Sequence, residues 1–414
     1  MRILIVSQYF PPETGAARNR MESISTSLSE SGHDVDVITA KPNYPSGRIA
    51  KEYKGGLFKN QSYRGVNVIH TWIFEDHSKM FVTRMLYFLS FMVMSVLASF
   101  KFKGKYDVVL ATSPPLFVGL SGWIISKLKG AKFVFDVRDL WPGVAVAMGE
   151  LKNRMMIKMA ELLEKFLYKK ADLITTVTNS FSDYIKGIID NPEKIKIVMN
   201  GAFTDHFDQQ IDEKEFRRQH LFGDDFTITY AGNIGLAQGL DHLIEAARIL
   251  KEEQSDIRIV LIGDGPRKKH LEELRQEHGL DNISLLPRVD QEEVVKYLLA
   301  SDALLVPLAD DEIYKMFIPS KLFDGMSAGK PVLISVDGEA RSILEKSEAG
   351  VYYKAENGKE LAEAARYLKN NPDECKKMGG NGHKEVRKHY SRDQQAKKME
   401  KVLTELVGKS ENSS

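Results

Sequence analysis

Short apolar runs alternate with longer segments of helical periodicity along the first half of the chain. The runs have the length of buried strands, and the segments between them place apolar residues at the spacing of amphipathic helices. Strands are predicted at 2–9, 34–40, 66–72, 107–112, 132–137, 172–177 and 196–199, and helices at 19–31, 116–128, 153–169 and 179–188. This order is typical of a parallel sheet with helices on both faces.

The second half repeats the pattern after a polar interval. Residues 204–225 have few apolar side chains, which predicts a linker between two domains. Strands are then predicted near 226–231, 257–262, 283–287, 302–307, 331–335 and 350–353, and helices at 239–252, 266–278, 290–300, 319–328 and 357–369. The charged tail from 372 to 407 is predicted to be helical throughout.

Both halves begin with the same kind of segment. The strand at 2–6 leads into a loop at 11–15, the strand at 226–230 leads into a loop at 231–235, and a helix follows each loop. A glycine-bearing loop and a helix N-terminus direct backbone N–H groups and a positive dipole end at one point, which suits a phosphate group. The expected fold is therefore α/β, with two Rossmann-like doubly wound domains that face each other across a cleft and bind a phosphorylated nucleotide.

Composition narrows the function further. A chain of 414 residues fits two domains of about 200 residues each. Its 58 basic and 57 acidic residues nearly cancel, which argues against a nucleic-acid partner. A single cysteine and ten histidines without metal-ligand spacing argue against a metal site. The N-terminus has no signal-peptide pattern, so a cytoplasmic location is expected.

One segment, 85–100, is almost entirely apolar, and lysines follow it at 101, 103 and 105. Sixteen residues make a helix of roughly 24 Å, shorter than the ~30 Å hydrocarbon core of a bilayer. A spanning helix is not expected, since it would interrupt the strand–helix–strand order. Two interpretations stay open: a crossover helix packed on the sheet, or a helix that also enters the membrane interface, with the region 80–105 meeting the inner face of the cytoplasmic membrane.

The sequence of the first glycine loop argues against two classes of nucleotide-binding enzyme. The loop at 11–18 is not G-x-G-x-x-G and has no acidic partner for a nicotinamide ribose, which disfavours a dehydrogenase. It also lacks the P-loop sequence of nucleotide triphosphatases. The strongest signal is the stretch 319–332, where Ser320 is predicted to cap a helix. Lys321 and Asp324 then lie on one helix face, where the lysine could bind an anion and the aspartate the hydroxyls of a ribose. The alternative for this pair taken alone is an ordinary surface ion pair three residues apart.

The stretch 319–332 resembles the donor-binding signature of bacterial glycosyltransferase family 4, which has the two-domain GT-B fold. Further segments resemble the family in the same order, at 11–15, 113–115, 138–142, 230–235, 238–239, 262–266 and 286–289. The resemblance covers essentially the whole chain. It is closest to the branch of L-fucosamine and other amino-sugar transferases that assemble O-antigen, capsule and exopolysaccharide.

The resemblance implies a retaining, metal-independent transferase that needs no cofactor. It would move a sugar, an N-acetylated hexosamine or deoxyhexosamine, from a UDP-sugar to a polyprenyl-diphosphate-linked or polysaccharide acceptor. Residues 1–203 would bind the acceptor, 204–388 the nucleotide-sugar, and 389–414 would form a helix that crosses back to the first domain. Peripheral association with the cytoplasmic membrane follows from such an acceptor. A UDP-amino-sugar epimerase of the same architecture is the alternative enzyme, and a sugar-nucleotide sensor is the non-enzymatic one.

The resemblance also assigns roles residue by residue. Predicted donor-binding residues are Gly15, Asn233, Gly235, Gln238, Gly263, Asp264, Arg288, Val289, Pro319, Ser320, Lys321, Leu322 and Asp324. Predicted catalytic residues are Lys321, Asp139 and Arg138, and predicted acceptor-side residues are Arg18, Ser113 and Trp141.

The chain departs from the family pattern at four positions. Many family members have an arginine and a lysine where this chain has Asn233 and Gln238, and two glutamates where it has Met316 and Asp324. The diphosphate charge is therefore expected to fall on Lys321, on the backbone amides of the glycine loops and on Arg288 or Arg18.

Overall fold

A computed structural model describes residues 1–13, 16–43, 46–76, 81–147, 149, 151–220 and 223–411. The chain divides into two compact units. Unit 1 comprises Met1–Asn200 and Arg392–Ser414, and unit 2 comprises Gly201–Ser391.

Unit 1 contains one eight-stranded sheet within the described residues. The strands are β1 (Arg2–Val6), β2 (Asp34–Ala40), β3 (Phe58–Tyr63), β4 (Val66–Thr71), β5 (Val108–Ser113), β6 (Lys132–Val137), β7 (Leu173–Thr176) and β8 (Ile195–Ile197). Their order is β3-β4-β2-β1-β5-β6-β7-β8. All neighbours pair in parallel except β3 and β4, which are antiparallel. The sequence did not predict the edge strand β3, because its residues are mostly polar and none of them is buried.

The helices of unit 1 are α1 (Ala16–Glu30), α2 (Phe81–Ser99), α3 (Leu116–Lys129), α4 (Gly143–Ala147), α5 (Arg154–Lys170), α6 (Asn179–Lys186) and the C-terminal α15 (Arg392–Glu411). Helices α1 and α15 pack against each other and share a hydrophobic core with one face of the sheet. Helices α2, α3 and α5 cover the other face, where α3 packs against both α2 and α5.

Unit 2 contains a six-stranded parallel sheet. Its strands are β9 (Phe226–Ala231), β10 (Ile257–Ile262), β11 (Ile283–Leu286), β12 (Ala303–Val306), β13 (Val332–Ile334) and β14 (Gly350–Tyr352), in the order β11-β10-β9-β12-β13-β14. Its helices are α7 (Glu213–Gln219), α8 (His242–Glu252), α9 (Lys268–Glu277), α10 (Gln291–Ala300), α11 (Ser320–Ser327), α12 (Glu339–Lys346), α13 (Gly358–Asn370) and α14 (Pro372–Glu385).

Two predictions at the ends of unit 2 are wrong. The interval 204–225 is not a bare linker, because it contains α7, and Arg217 of this helix forms an ion pair with Asp302 at 2.8 Å. The tail is not one helix either. After α14 a π-helical turn ends at Tyr390, and Ser391 is extended and forms a bridge with Ala202 before α15 begins. The Tyr390 ring stacks on Phe323 of α11 at 4.7 Å, which fixes the end of this turn by tertiary packing.

In both sheets the chain reverses its direction of winding at one point. In unit 1, strands β2 to β4 lie on one side of β1 in the sheet, and β5 to β8 lie on its other side. In unit 2 the corresponding point lies between β9 and β12. The crevice outside the carboxyl ends of the strands at such a switch point is the usual ligand site of an open parallel sheet.

Candidate functional site

In unit 2, Lys321 lies at the start of α11 and crosses the loop that follows β9. Its ammonium nitrogen is 5.4 Å from the centroid of the Tyr230 ring. A Cβ atom on Gly232 would lie only 2.6 Å from that nitrogen, so the glycine leaves the space that the lysine occupies. Burial lowers the pKa of Lys321, and Asp324 opposes this shift. The lysine is thus a partly desolvated cation held at the carboxyl end of β9.

The loops after β9 and β10 approach each other backbone to backbone. Gly263 and Gly265 have φ angles of 155° and 156°, and a Cβ at either position would overlap the backbone of Gly232 or Ile234. The N–H of Ile234 donates to the carbonyl of Asp264 at 2.9 Å. The glycines are therefore required first by the packing of these two loops, which together shape the edge of the site.

The turn after Gly235 uses its polar groups internally. The Gly235 N–H donates to Oε1 of Gln238 at 3.1 Å, and Gly239 ends the turn with a φ of 57°. The amide that was expected to bind phosphate therefore already has a partner in this structure. Asn233 is exposed, and its carbonyl accepts a hydrogen bond from the Tyr230 hydroxyl at 2.5 Å.

The start of α11 differs from the prediction. Pro319, not Ser320, occupies the N-cap position, and no side chain caps the helix. The N–H of Leu322 donates to the Pro319 carbonyl at 3.0 Å, and the Leu322 side chain is buried in the core. Asp324 lies one turn into the helix, where its charge acts on Lys321. The helix thus begins without a side-chain cap, and Lys321 is its second residue.

The remaining predicted donor residues are more peripheral. The Asp264 side chain is exposed and accepts the N–H of Gly265 at 2.8 Å. Arg288 is exposed, and Val289 packs against a small core cluster with Val260 and Tyr297. Val289 therefore has a packing role in the sheet edge, whereas Arg288 is accessible to a ligand.

In unit 1, a buried ion pair organises the carboxyl end of β6. Arg20 of α1 and Asp136 of β6 are both almost completely buried and are 2.8 Å apart. The hydroxyls of Thr112 and Thr175 also donate to the Asp136 carboxylate, at 3.0 and 2.7 Å. Burial alone would raise the pKa of Asp136, but Arg20 and these donors hold it below its ordinary value. Asp136 is thus an ionised structural anchor.

The anchor extends to the predicted catalytic pair. Arg138 donates to the Thr112 hydroxyl at 2.7 Å and to the Pro114 carbonyl at 3.2 Å. Its pKa is lowered by burial, against the opposing charges of Asp139 and Asp136. Burial raises the pKa of Asp139 to about 6, with Arg138 opposing. Arg138 is held by its neighbours, whereas Asp139 carries a carboxyl group whose pKa is raised by burial.

The predicted acceptor-side residues have different surroundings. Ser113 is buried, and its hydroxyl has no hydrogen-bond partner. Arg18 is 2.5 Å from Glu22, which compensates its charge. The Trp141 N–H donates to the carbonyl of Asp139 at 3.1 Å, so this backbone turn shapes the Asp139 loop. Gly15 lies outside the described residues.

Sequence reasoning missed Gln8, which follows β1 at the same end of the sheet as Ser113. Val6 and Ala111 are the last paired residues of β1 and β5, and Gln8 and Ser113 each follow two residues later. Gln8 is 1% exposed, and neither polar atom of its side-chain amide makes a hydrogen bond within 3.5 Å. The amide still interacts with the Tyr87 hydroxyl, because it opposes the rise in the pKa of Tyr87 that burial causes. Buried polar groups of this kind are rare and call for a partner. A signal existed, since Gln8 is a polar residue at the end of an apolar strand.

Among the residues that the structure describes, no group of three or more His, Cys, Asp or Glu side chains could hold a metal ion. Metal independence nevertheless stays a prediction for experiment.

Two family models match the chain and together cover most of it. The model described as "Glycosyl transferase 4-like domain" matches residues 15–201, and the one described as "Glycosyl transferases group 1" matches 212–385. The two matched segments correspond to the two α/β units and include the residues that the sequence predicted for both sites. The chain belongs to glycosyltransferase family 4.

Relatives of this family 4 enzyme include WcaI of Escherichia coli (strain K12), which is named for glycosyl transfer in colanic acid biosynthesis. The two chains are 26% identical over 350 residues, which are 81% of this chain and 84% of WcaI. The family 4 enzyme is therefore a glycosyltransferase of polysaccharide or lipopolysaccharide biosynthesis, and the relatives favour transfer over the epimerase alternative.

Solved structures confirm the predicted GT-B fold. Sucrose-phosphate synthase from Thermosynechococcus elongatus has a TM-score of 0.74 at 17% identity and covers 98% of this chain and 99% of its own. HepE of Anabaena, solved in complex with UDP-glucose, has a TM-score of 0.72 at 15% identity and covers 98% and 100%. At these identities the structural likeness concerns the fold of the family 4 enzyme alone.

Proposed function

We propose that this glycosyltransferase transfers an N-acetylated amino sugar from UDP to a lipid-linked acceptor, with retention of the anomeric configuration. Unit 2 would bind the donor and unit 1 the acceptor. The observation that carries the proposal is the position of Lys321, a partly desolvated cation at the uncapped start of α11 beside the Gly232 loop.

The electrostatics of unit 2 favour a diphosphate. An uncapped helix start presents N–H groups and a partial positive charge, and the Lys321 ammonium adds a full charge beside them. A diphosphate between them would also restore the pKa of Lys321, which burial lowers. Asp324 lies one turn further along the helix and is the proposed acceptor of ribose hydroxyl hydrogen bonds.

The donor nucleotide is proposed to be UDP. HepE of Anabaena, which has the same fold, was solved with UDP-glucose. The proposed amino sugar rests on the motif resemblance to amino-sugar transferases, and Met316 stands where many family members have a glutamate.

Retention is proposed to follow front-face displacement, in which the leaving β-phosphate oxygen helps to deprotonate the acceptor hydroxyl. Catalysis would then consist of orienting the two substrates, excluding water and stabilising the leaving diphosphate. Lys321 would supply the charge stabilisation, and no metal ion would be required.

Unit 1 is proposed to orient the acceptor through the carboxyl ends of β1, β5 and β6. Asp139 supplies a carboxyl group with a pKa of about 6, Ser113 supplies a buried hydroxyl without a hydrogen-bond partner, and Gln8 supplies a buried amide that interacts with Tyr87. Arg138 would position Asp139, since its own donors are engaged by Thr112 and Pro114. Such an arrangement suits the hydroxyl groups of a sugar.

A polyprenyl-diphosphate acceptor stays in the membrane, so the enzyme is proposed to work in the cytoplasm at the inner membrane surface. Helix α2 supports this location. Its window Val82–Ser99 is long and apolar enough to cross a membrane by length and composition, with only 33% of the window buried. Because α2 also packs against α3 and the sheet, contact with the interface is proposed rather than a span.

A nucleotide screen tests the donor assignment. Thermal unfolding would be followed with UDP, GDP, ADP and their sugars, on the wild type, on Lys321→Ala and on Lys346→Ala as an exposed lysine control in the same unit. We expect UDP compounds to raise the melting temperature of the wild type and the control, and to do so much less for Lys321→Ala. A larger shift with GDP or ADP compounds, or an equal shift for all three proteins, would contradict the assignment.

A further inference from the structure

Helices α2, α3 and α5 form a continuous layer on one face of the sheet of unit 1, and we call their outward surface the outer helical face. Helix α3 packs against both neighbours, and its own inner side contacts Ala111, Phe133 and Phe135 of the sheet. The opposite face of the sheet is covered by α1 and α15. The outer helical face is therefore the solvent-facing side of a single layer of helices.

The outward side of α2 is an apolar stripe. Val82, Leu86, Val93, Leu97 and Phe100 are between 44% and 65% exposed. Their spacings of 4, 7, 4 and 3 residues place them on one side of a helix with 3.6 residues per turn. The inner side is equally apolar but buried, as at Phe91 and Ala98. A helix that is apolar on all sides yet half exposed calls for a second apolar environment.

Helix α5 adds a second stripe that the sequence did not single out. Met155, Met159 and Leu162 are 72%, 63% and 60% exposed, at spacings of 4 and 3 residues. The stripe continues to Phe166, whose ring packs edge-on against Trp123 of α3 at 5.0 Å. The two stripes thus belong to one face, with α3 between them and its exposed Leu128 near one end.

Basic residues accompany the apolar stripes. On α5, the exposed Lys158, Lys165 and Lys169 form a row beside the methionine stripe, interrupted only by Glu161. Lysines in a last helical turn are favourable to the helix dipole, which accounts for Lys169. It does not account for Lys158 and Lys165, which lie before the last turn of the helix.

More lysines gather where the three helices end. Each of these helices leads into the amino-terminal end of a strand of the same sheet, so the three helix ends lie at one edge. The exposed lysines after or within these ends are Lys101, Lys103, Lys105, Lys127, Lys169 and Lys170. An apolar surface bordered by basic residues is the pattern of a protein that lies in a membrane interface.

We propose that the outer helical face docks flat on an anionic lipid bilayer, with the α5 stripe entering the interface together with α2. This inference rests on the proposed membrane location and adds to it a surface and a second inserting helix. Lipid is favoured over a second copy of the chain as the occupant, since two such faces would bring their lysine rows together. Anionic headgroups complement the same lysines.

Vesicle flotation with the full chain tests the proposal. The vesicles would contain phosphatidylcholine alone or mixed with phosphatidylglycerol, at low and high salt. The main variant is Met155→Ser with Met159→Ser and Leu162→Ser, and its matched control is Leu57→Ser with Tyr367→Ser, two exposed apolar residues outside the face. All five side chains are exposed, so we expect the substitutions to leave the unfolding transition unchanged. An unchanged transition shows that the variants are folded.

We expect the wild type and the control to bind the mixed vesicles in a salt-sensitive way. The triple serine variant should bind them about tenfold or more weakly, because three apolar side chains no longer leave water. A second variant, Lys158→Gln with Lys165→Gln and Lys169→Gln, should lose affinity for the mixed vesicles only. It keeps the apolar stripe and separates the charge contribution from the apolar one.

Three results would overturn the inference. Equal binding of the triple serine variant and the wild type would limit the membrane contact to α2. Equal binding to both kinds of vesicle would remove the role of the lysines. Self-association of the wild type without vesicles, lost in the triple serine variant, would make a second copy the occupant. If the wild type binds no vesicle at all, the proposed membrane location fails as well, whereas the nucleotide screen judges the donor assignment independently.

Discussion

Adding one methyl group at Gly232 should displace the candidate catalytic lysine with little damage to the fold. The Cβ of an alanine at this position would lie 2.6 Å from Nζ of Lys321 and still closer to its Cε. Ordinary non-bonded contacts are about 3.5–4 Å, so the ammonium must move by about 1 Å. Because it ends a flexible side chain, it can do so cheaply. The φ of 155° at Gly232 adds about 1–3 kcal/mol of strain to the alanine variant.

The expected result of Gly232→Ala is therefore a modest loss of stability and a large loss of turnover. Denaturant unfolding should show a decrease of about 1–3 kcal/mol in unfolding free energy. The value of kcat should fall about 100-fold, a loss that a 1 Å misplacement can cause. Gly263→Ala is the contrasting variant, because its Cβ would overlap the rigid backbone of Gly232 and should destabilise the fold far more.

A double-mutant cycle decides whether the methyl group acts through Lys321. In a Lys321→Ala background the displaced ammonium is already absent, so Gly232→Ala should reduce kcat little further. An equal reduction of kcat in both backgrounds would refute the reasoning, since the methyl group would then act on something other than Lys321.

Four further predictions follow from the same structure. Lys321→Ala should lower kcat about 100- to 1,000-fold, whereas Asp324→Ala should mainly raise the donor KM about tenfold. Equal and small effects of the two substitutions on kcat and KM would contradict the assigned donor site. Activity should survive exhaustive EDTA treatment, and loss that magnesium or manganese restores would overturn metal independence. If ionised Asp139 orients the acceptor, activity should fall as the pH drops through about 6, and Asp139→Asn should remove this dependence at a lower overall rate. Asp136→Ala should cost about 3–5 kcal/mol of unfolding free energy, because it leaves Arg20 buried without its partner. The pKa of Asp136 is lowered in the folded state, so its contribution to the stability of the wild type is fully present above the ordinary carboxyl pKa. This contribution is lost as the pH falls through the lowered folded-state pKa. Acid unfolding of the wild type and Asp136→Ala measures the loss.

The regular elements could be predicted because their signals are local. Apolar runs such as β2 and β10 and helices such as α3 and α5 were located to within one or two residues. The failures have tertiary causes. The edge strand β3 has a polar sequence and is held by its pairing with β4, and the break at Ser391 has no glycine or proline to announce it. Both depend on neighbours that are distant in sequence.

The candidate site divides in the same way. Lys321, Asp324 and the glycine loops form contiguous motifs and could be read from the chain. The Arg20–Asp136 pair joins α1 to β6 across 116 residues, so no spacing rule could reveal it. The engagement of the Gly235 amide by Gln238 also needs coordinates, because a turn that uses its own N–H group has the same sequence as one that offers it to a ligand.

The two switch points share a topology but differ in chemistry, and this difference supports separate substrates for the two units. Around β9 and β12 the chain presents an ammonium group and an uncapped helix start, which suit the negative charge of a diphosphate. Around β1 and β5 it presents a carboxyl group of raised pKa together with a buried amide and a buried hydroxyl. These groups can accept and donate hydrogen bonds to sugar hydroxyls. A single fold used twice thus yields one anion-binding site and one hydroxyl-binding site, which is the division that transfer from a nucleotide-sugar to a glycan requires.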